Sequence, residues 1–475
     1  MKEVKNLYLY GSGNRCKTLL NLLKESEYKI CGIVDSNSEK WGQTIENIKI
    51  YEPAVLRDVK EAYVCVTFYS SLVNEPTWDL IVNVYNIDRC RVLSFFDLII
   101  EVYRGKLKMD GAQRSLSYRK TFFDGTWPLL LGGVESWLKD ITTEFKEADI
   151  RNVWLLTPLD ESNISDGIKD YAEDLSFDKP GNFVMENIVK GINFLKTQLP
   201  FTIVFSRIDE LMIAAFLLKE KYPEDIKIVM AVHGSCDGMY TDILCFRTMI
   251  SEYVCVCHGI KDELIRRGVA YERIHTMTAP VDYDRNLKRT YTLNNREPLR
   301  IGYAGRLEVF EKRLDILLKV ISELEKTDVN YVLDIAGNGR YQDEIRRYTV
   351  EKELDNKVRL IGCIERSKIN EFWRKQDIAV NVSDNEGRPI SNIEAMLNGT
   401  VPIVTNTVGS MEDVKDGQNG YIVPLCDYKS MAEKIKYIDS NRKVLSKLGR
   451  QAYEDMRQKI NMEEYIEMWK KLILE

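Results

Sequence analysis

The chain has 475 residues, of which 44% are hydrophobic and 29% are charged, and its net charge at pH 7 is −6. At roughly 150 residues per domain, this length suits about three globular domains. The acidic balance argues against nucleic acid as a partner, and ten scattered cysteines without a C-x-x-C pair argue against a disulfide framework or a zinc site.

The N-terminal segment runs directly into a predicted strand and lacks the apolar core of a signal peptide. No apolar run approaches the ~20 residues that cross a bilayer. We therefore expect a cytoplasmic protein with reduced thiols, and any work at the cell membrane would be peripheral, at its inner face.

The first predicted domain covers residues 1–103 and starts as a strand, a glycine turn and a helix. Gly11 and Gly13 form the turn, and Asp35 ends the second strand. This order is typical of dinucleotide-binding βαβ units, in which such an acid binds a ribose. Cys16 replaces the third glycine of that motif, which weakens the match. Gly11, Gly13 and Asp35 are therefore candidates for a second nucleotide site, for NAD or another nucleotide, and the alternative is a domain that binds nothing.

Residues 104–120 are predicted to be a basic linker. Six lysines and arginines face a single acid, Asp110, and glycines flank the segment at positions 105 and 111. Such a segment is either solvated or in contact with anionic lipid head groups.

The second predicted domain covers residues 121–290. Gly132 and Gly133 precede apolar residues at helical spacing, which lets backbone amides approach a ligand at a helix start. His233 follows a predicted strand, at the end where α/β domains bind ligands, and the alternative is a hydrogen-bonded structural histidine. The polar stretch 166–180 is expected to be a loop. Strands are predicted at 153–156, 202–205, 227–232 and 253–257.

The third predicted domain covers residues 291–457 and begins with the strand 299–304. Gly305 and Arg306 follow this strand, and Lys312 precedes the next predicted helix. Residues 458–475 have a helical pattern of apolar and charged side chains.

A loop and helix from Glu386 to Glu394 form the densest motif in the chain. They follow a predicted strand at 377–382, and Gly387 and Pro389 lie in the loop. A helix start of this kind offers unpartnered amides to an anionic or hydroxyl-rich ligand. One glutamate can accept hydrogen bonds from sugar hydroxyls and the other from a ribose.

The frame E-G-x-P-x-x-x-x-E-A-M resembles the signature of family-4 retaining glycosyltransferases. The blocks around Gly133, Arg306 and Gly362, and the turn that ends at Asp282, are similar to those of the same family and in the same order. The resemblance covers about residues 115–475. It implies an α/β protein of the GT-B fold, with two facing Rossmann-like domains, a small additional Rossmann-like domain in front, and a terminal helix that crosses back to the second domain.

The resemblance also implies roles for individual residues. Arg306 and Lys312 would neutralise the donor diphosphate, Glu394 would bind the ribose, and Glu386 and His233 would contact the sugar. The catalytic candidates are Glu386, Arg306, Lys312 and His233. No metal site is expected. Further donor contacts are expected from Gly133, Gly305, Gly362, Ile364, Gly387, Arg388, Pro389 and Ile390.

The expected function is a metal-independent retaining glycosyltransferase without a required cofactor. It would move a sugar from a nucleotide-diphosphate donor, by analogy a UDP-sugar, to a saccharide or lipid-linked acceptor in bacterial surface polysaccharide or glycoconjugate synthesis. Two alternatives remain. The chain is a non-catalytic, sugar-binding partner of another transferase, or residues 1–103 carry a dinucleotide-dependent sensor or oxidoreductase.

Overall fold

The computed structural model describes residues 4–67, 77–107, 118–126, 133–150, 152–159 and 169–474. In these ranges the chain forms three α/β units, each built on its own sheet, and nearly all strand pairs are parallel. We call them the first, second and third domains. The α/β class with two large Rossmann-like units and a smaller one in front is confirmed.

The first domain has the strand order β3-β4-β2-β1-β5-β6. Cys16 is fully buried in the core beside Leu7 and Leu9, so the position of the missing third glycine is filled by a small apolar side chain. The Ser94 hydroxyl and the Asp97 carboxylate form a capping box at the start of the second helix. The strands β1 to β6 are Lys5–Tyr10, Tyr28–Val34, Thr44–Ile45, Ile48–Tyr51, Tyr63–Val66 and Val92–Ser94, and the helices are α1 Asn14–Leu22 and α2 Phe95–Lys106.

The second domain has the strand order β13-β12-β11-β10-β7-β8-β9. The predicted loop 166–180 contains the short strand β9, which pairs with β8, so that expectation was wrong over three residues. The strands β7 to β13 are Lys120–Asp124, Val153–Thr157, Ala172–Asp174, Phe201–Phe205, Ile226–Val232, Glu252–Cys255 and Ile274–Thr276. The helices α3 to α7 are Gly133–Glu147, Met185–Lys196, Glu210–Lys221, Asp237–Cys245 and His258–Arg266.

The third domain has the strand order β16-β15-β14-β17-β18-β19. Its strands are nearly continuous apolar runs because helices cover both faces of the parallel sheet. The strands β14 to β19 are Leu299–Ala304, Tyr331–Ala336, Val358–Gly362, Ile378–Asn381, Val401–Thr405 and Tyr421–Val423. The helices α8 to α15 are Leu314–Leu324, Gln342–Glu351, Ile369–Arg374, Ile390–Leu397, Val408–Asp413, Tyr428–Ser440, Lys443–Arg457 and Met462–Leu474.

The last helix, α15, packs on the second domain although it follows the third domain in sequence. Tyr465 and Trp469 are buried in a cluster with Phe123 and Trp137 of the second domain. The Thr202 hydroxyl of β10 donates to the carbonyl at the end of α15 over 3.3 Å. The second domain core is therefore completed by a distant part of the chain.

The first domain is docked on the second through α6. The Arg15 guanidinium forms an ion pair with Asp242 and lies over the ring of Phe95, with 4.7 Å from its carbon to the ring centroid. Phe96 contacts Phe246 in an edge-on arrangement. This joint combines apolar contacts with the Arg15–Asp242 ion pair, which favours a fixed arrangement of the two domains.

The ends of the predicted linker 104–120 belong to regular elements. Arg104 lies in α2 and pairs with Glu220, and Lys120 begins β7 and contacts Glu173 at 2.8 Å. The Arg119 guanidinium donates to the carbonyl of Phe201. The predicted boundaries at 103 and 120 therefore both fall inside elements, and residues 108–117 lie outside the described residues.

Among the helices in the described part of the chain, none is long and apolar enough to cross a membrane.

Candidate active site

The loop before α11 lies where the second and third domains touch. A Cβ atom placed on Gly387 would lie 1.9 Å from the His233 carbonyl oxygen. On the other side, a Cβ on Gly409 would lie 2.3 Å from the Gly387 carbonyl oxygen. Gly387 is therefore held between backbone segments of both domains, and only a glycine fits there.

A second contact joins the same loops. The Ser235 hydroxyl, which follows β11, donates to Asn385 Oδ1 over 2.7 Å and to the Glu386 carbonyl oxygen over 3.2 Å. The residues after β11 and the residues after β17 thus form the two walls of one cleft, as expected for strand ends in open α/β sheets.

Lys312 and Glu386 form an ion pair at the floor of this cleft. The distance from Lys312 Nζ to Glu386 Oε1 is 2.5 Å, and the Ser383 hydroxyl donates to the same oxygen over 2.7 Å. The side chains of Lys312 and Glu386 are 19% and 10% exposed. The pair is therefore well ordered but still reachable by a ligand.

The loop that carries Lys312 has unusual backbone geometry. Glu311 and Arg313 adopt left-handed φ angles of 63° and 51°, which glycine prefers. Arg313 offsets this cost with ion pairs to Asp315 and Asp384. The left-handed backbone at Arg313 is thus accompanied by two ion pairs of its own side chain.

Arg306 lies closer to solvent than Lys312. Its guanidinium contacts Glu311 at 3.1 Å, and its side chain is 52% exposed. Arg306 is on the same loop as Lys312 but is not in contact with Glu386 in this structure. Preceding it, Gly305 packs so tightly on Gly337 that a Cβ on Gly337 would lie 1.9 Å from the Gly305 carbonyl oxygen.

Glu394 lies on α11 in a mostly apolar setting. The Trp373 indole donates to its carboxylate over 3.3 Å. Burial raises the pKa of Glu394 to about 7, although the Trp373 hydrogen bond acts in the opposite direction. The side chain of Ile364 packs against the apolar cluster that contains Trp373. Gly362, two residues before Ile364, has a φ angle of 74°. A carboxyl beside an apolar wall can bind a ribose below a stacked base.

Two helix starts approach each other across the cleft. Pro389 is the N-cap of α11, and Gly133 is the first residue of α3. A Cβ on Gly133 would lie 3.9 Å from Ile390 Cδ1. Arg366 of the third domain also reaches α3, where its guanidinium pairs with Asp140 at 2.5 Å. The first residues of both helices therefore lie close together, and a helix start favours an anion.

His233 borders the cleft beside an aromatic wall. Its ring centroid lies 4.4 Å from that of Trp137, and its Nε2 atom is buried and has no hydrogen-bond partner among the described residues. Burial, and then the positive charge of Arg207, lowers the pKa of His233 to about 4. The imidazole is therefore neutral at physiological pH.

The predicted role of Arg388 in donor binding requires a correction. Its guanidinium forms two hydrogen bonds with Asp413, at 2.9 and 2.7 Å, and also donates to the Val256 carbonyl and the Thr278 hydroxyl. Because the Arg388 side chain is only 3% exposed, it is not available to a donor. It joins the third domain to the second.

The predicted second nucleotide site is already internally bonded. The Asp35 carboxylate accepts hydrogen bonds from the Asn37 amide at 2.9 Å, the Lys40 ammonium at 3.0 Å, and the amide and hydroxyl of Ser12. Burial opposes ionisation, but these donors hold the pKa of Asp35 below its ordinary value. Nothing lies within 4 Å of a Cβ placed on Gly13, whereas Gly11 has a φ angle of 110° and bonds to Val34. A ribose at Asp35 would have to displace Lys40.

The structure therefore brings Glu386, Lys312, His233, Gly387 and Gly133 to one cleft, with Arg306 at its edge. Sequence reasoning missed Trp137, Ser235, Asn385 and the pair Asp140–Arg366. The position of Ser235, two residues after His233, was a usable signal, whereas the other contacts join distant segments. Within the described ranges, no group of three His, Cys, Asp or Glu side chains is placed to hold a metal ion.

Comparison with known proteins agrees with this architecture. Residues 284–455 match the family described as Glycosyl transferases group 1, and residues 3–86 match the family C2185-like, N-terminal. The poly(ribitol-phosphate) alpha-N-acetylglucosaminyltransferase of Staphylococcus aureus strain COL is 29% identical over 178 residues, which are 36% of this chain and 34% of that protein. The match thus spans about a third of the length of this curated relative.

Two solved structures share the fold. HepE of Anabaena, in complex with UDP and glucose, has a TM-score of 0.60 at 16% identity, over 75% of this chain and 99% of its own. A TarM mutant of S. aureus, in complex with fondaparinux, alpha-GlcNAc-glycerol and UDP, has a TM-score of 0.51 at 14% identity. The match covers 98% of this chain and 99% of the TarM chain. Residues 284–455 therefore match the group 1 glycosyltransferase family, and the second and third domains have the GT-B fold, behind a domain whose residues match the C2185-like family.

Proposed function

We propose that this protein is a retaining, metal-independent glycosyltransferase that uses a UDP-sugar. The observation that carries the proposal is the cleft in which the Lys312–Glu386 pair of the third domain lies opposite His233 and the start of α3. The match of residues 284–455 to group 1 glycosyltransferases supports the same conclusion.

In this proposal the donor lies along the third domain side of the cleft. Glu394 accepts hydrogen bonds from the ribose, and the amides at the start of α11 face the diphosphate. Lys312 has three N–H donors, so it can keep Glu386 and still donate to a phosphate oxygen. Arg306 would turn from Glu311 to the diphosphate when the donor enters.

The transfer step breaks the bond between the sugar C1 and the phosphate oxygen. A bond from the acceptor hydroxyl oxygen to C1 forms on the same face, and the hydroxyl proton passes to an oxygen of the leaving diphosphate. Lys312 and Arg306 stabilise the charge on that diphosphate, and fixed cations of this kind contribute to rate because the charge grows in the transition state. We assign no nucleophilic side chain, and the absence of a metal requirement follows from the role of these two cations.

The names of similar proteins suggest the chemistry of the substrates. The S. aureus relative is named for transfer of alpha-N-acetylglucosamine to poly(ribitol phosphate), and both structural neighbours were solved with UDP. We therefore propose UDP-N-acetylglucosamine or UDP-glucose as donor and a bacterial surface saccharide, free or lipid-linked, as acceptor. A cytoplasmic location is part of this proposal. Peripheral membrane contact has less support, because Arg104, Arg119 and Lys120 are engaged within the protein.

The test begins with thermal unfolding in the presence of UDP, ADP, GDP, UDP-N-acetylglucosamine, UDP-glucose and NAD. A ligand at a hundred times its Kd stabilises the folded protein by about 2.7 kcal/mol. We expect stabilisation by UDP and one UDP-sugar that is lost in Glu394→Ala and Lys312→Ala. Lys326→Ala is the matched control, because this lysine lies just after α8, is 63% exposed and pairs with Glu323 near the end of that helix.

Turnover is then measured with the stabilising UDP-sugar, poly(ribitol phosphate) and other saccharide acceptors, with and without EDTA. An α-linked product formed equally well in EDTA is the expected result. Stabilisation by NAD but by no UDP-sugar would overturn the proposal and direct attention to Asp35.

A further inference from the structure

We propose that Tyr465, on α15, is a positioning residue for sugar transfer and acts on His233 through Trp137. This inference rests on the proposed function, because it assumes that His233 faces the donor sugar. The contacts from Tyr465 to Trp137 and from Trp137 to His233, at the cleft, do not depend on that assumption.

The contact between Trp137 and Tyr465 is a buried hydrogen bond. The Trp137 indole Nε1 donates to the Tyr465 hydroxyl over 2.7 Å. Both side chains belong to the aromatic cluster between α3, α15 and the second domain sheet, with Trp469 at 5.9 Å from Trp137, centroid to centroid. Because an indole has one N–H and no acceptor, this bond sets the rotation of the Trp137 ring.

The second contact is between rings. The Trp137 ring lies 4.4 Å from the His233 ring at an interplanar angle of 56°. A small cavity joins these residues, and it is lined by apolar side chains, including Val254 and Met277, together with Tyr465. His233 Nε2 is buried there without a hydrogen-bond partner in the described part of the chain. Its orientation is therefore set by the aromatic wall instead of a hydrogen bond.

The backbone of His233 is fixed separately. Its carbonyl packs against Gly387 of the third domain, and Ser235, two residues on, bonds to Asn385. The second and third domains therefore fix the main chain of His233, while α15 controls only its side chain. This separation makes the role of Tyr465 testable, since loss of its hydroxyl should move the imidazole and leave the cleft loops in place.

The same wall keeps the imidazole neutral, consistent with its pKa of about 4. A neutral ring can form a directional hydrogen bond with a sugar hydroxyl without placing a second cation beside Lys312. Rates are sensitive to displacements of about 1 Å in such contacts, which can cost a factor of about 100.

The test is Tyr465→Phe in the full-length protein, which removes one oxygen and keeps the ring. We expect kcat to fall about tenfold, with the Kd for UDP unchanged, because UDP is held by the third domain. His233→Ala should lower kcat more, and Tyr465→Phe should add little to it, since groups that act through each other are not additive. Tyr103→Phe is the matched control, because it removes an equally short buried hydrogen bond, 2.7 Å to the Phe183 carbonyl, at the joint with the first domain.

A second readout needs no activity. The chain has three histidines, so the NMR signals of His233, His258 and His275 can be followed during a pH titration. We expect Tyr465→Phe to raise the pKa of His233 and leave the other two signals unchanged. An unchanged kcat in folded Tyr465→Phe, or additive effects with His233→Ala, would overturn the inference. If the wild-type protein is inactive but Tyr465→Phe still shifts the titration of His233, the result contradicts only the proposed function.

Discussion

Gly387→Ala tests whether the closed contact between the two large domains is the form that turns over. The added Cβ would lie 1.9 Å from the His233 carbonyl oxygen and 2.5 Å from its carbon. A carbon and a carbonyl oxygen normally approach to about 3.3 Å, so the two loops must separate by roughly 1.4 Å. Both atoms belong to backbone, and side-chain rotation cannot relieve the overlap.

The displacement separates Lys312 and Glu386 from His233, which lie on opposite sides of this contact. Because a shift of about 1 Å can cost about 100-fold, we expect kcat to fall at least 100-fold, equivalent to about 2.7 kcal/mol. Affinity for UDP should change little, since Glu394, Lys312 and Arg306, its predicted side-chain ligands, lie in the third domain. The assay is steady-state transfer from the UDP-sugar, together with calorimetric titration of UDP.

Gly234→Ala is the control on the opposing loop. A Cβ there meets only the flexible Met239 side chain, whose sulfur lies 3.3 Å away and can move. We expect this variant to keep most of its activity. If Gly387→Ala keeps more than about a tenth of the wild-type kcat, the closed contact is not part of the catalytic cycle and the reasoning fails.

Two further predictions concern buried charges. Arg388→Met should lower the free energy of unfolding by about 3 kcal/mol, because Asp413 stays buried with Lys459 as its remaining partner. Urea titrations measure this change. If the free energy of unfolding does not fall, the Arg388–Asp413 pair is not needed for stability. UDP binding should weaken as the pH falls through about 7, because protonated Glu394 accepts hydrogen bonds poorly. Isothermal titrations from pH 5.5 to 8.5 measure this, and Glu394→Gln should abolish the pH dependence; a slope that persists in Glu394→Gln assigns it to another group.

The strands of the large domains could be predicted because they are buried on both faces and appear as short apolar runs between glycines and polar turns. The motif from Glu386 to Glu394 identified the fold by resemblance, and the match to group 1 glycosyltransferases supports that identification. The short polar strand β9 was missed, because three residues with one buried side chain carry no periodic signal.

Side-chain direction was harder to predict than position. Arg388 lies among the predicted donor contacts in sequence, but Asp413 and Thr278, which it binds, are 25 and 110 residues away. Likewise, the role of Glu394 remains a prediction, and the hydrogen bond that its carboxylate accepts comes from Trp373 on a neighbouring helix. Local patterns do not contain such pairings.

The return of α15 to the second domain also has a consequence for synthesis on the ribosome. In sequence, 328 residues separate Trp137 from its partner Tyr465. At about 5 to 20 residues per second, translation needs roughly 15 to 65 seconds to cover that distance. The third domain is contiguous and can fold as it emerges, whereas Phe123 and Trp137 must wait for Trp469. The second domain is thus begun before the third domain and completed after it, and its aromatic surface stays uncovered in the interval.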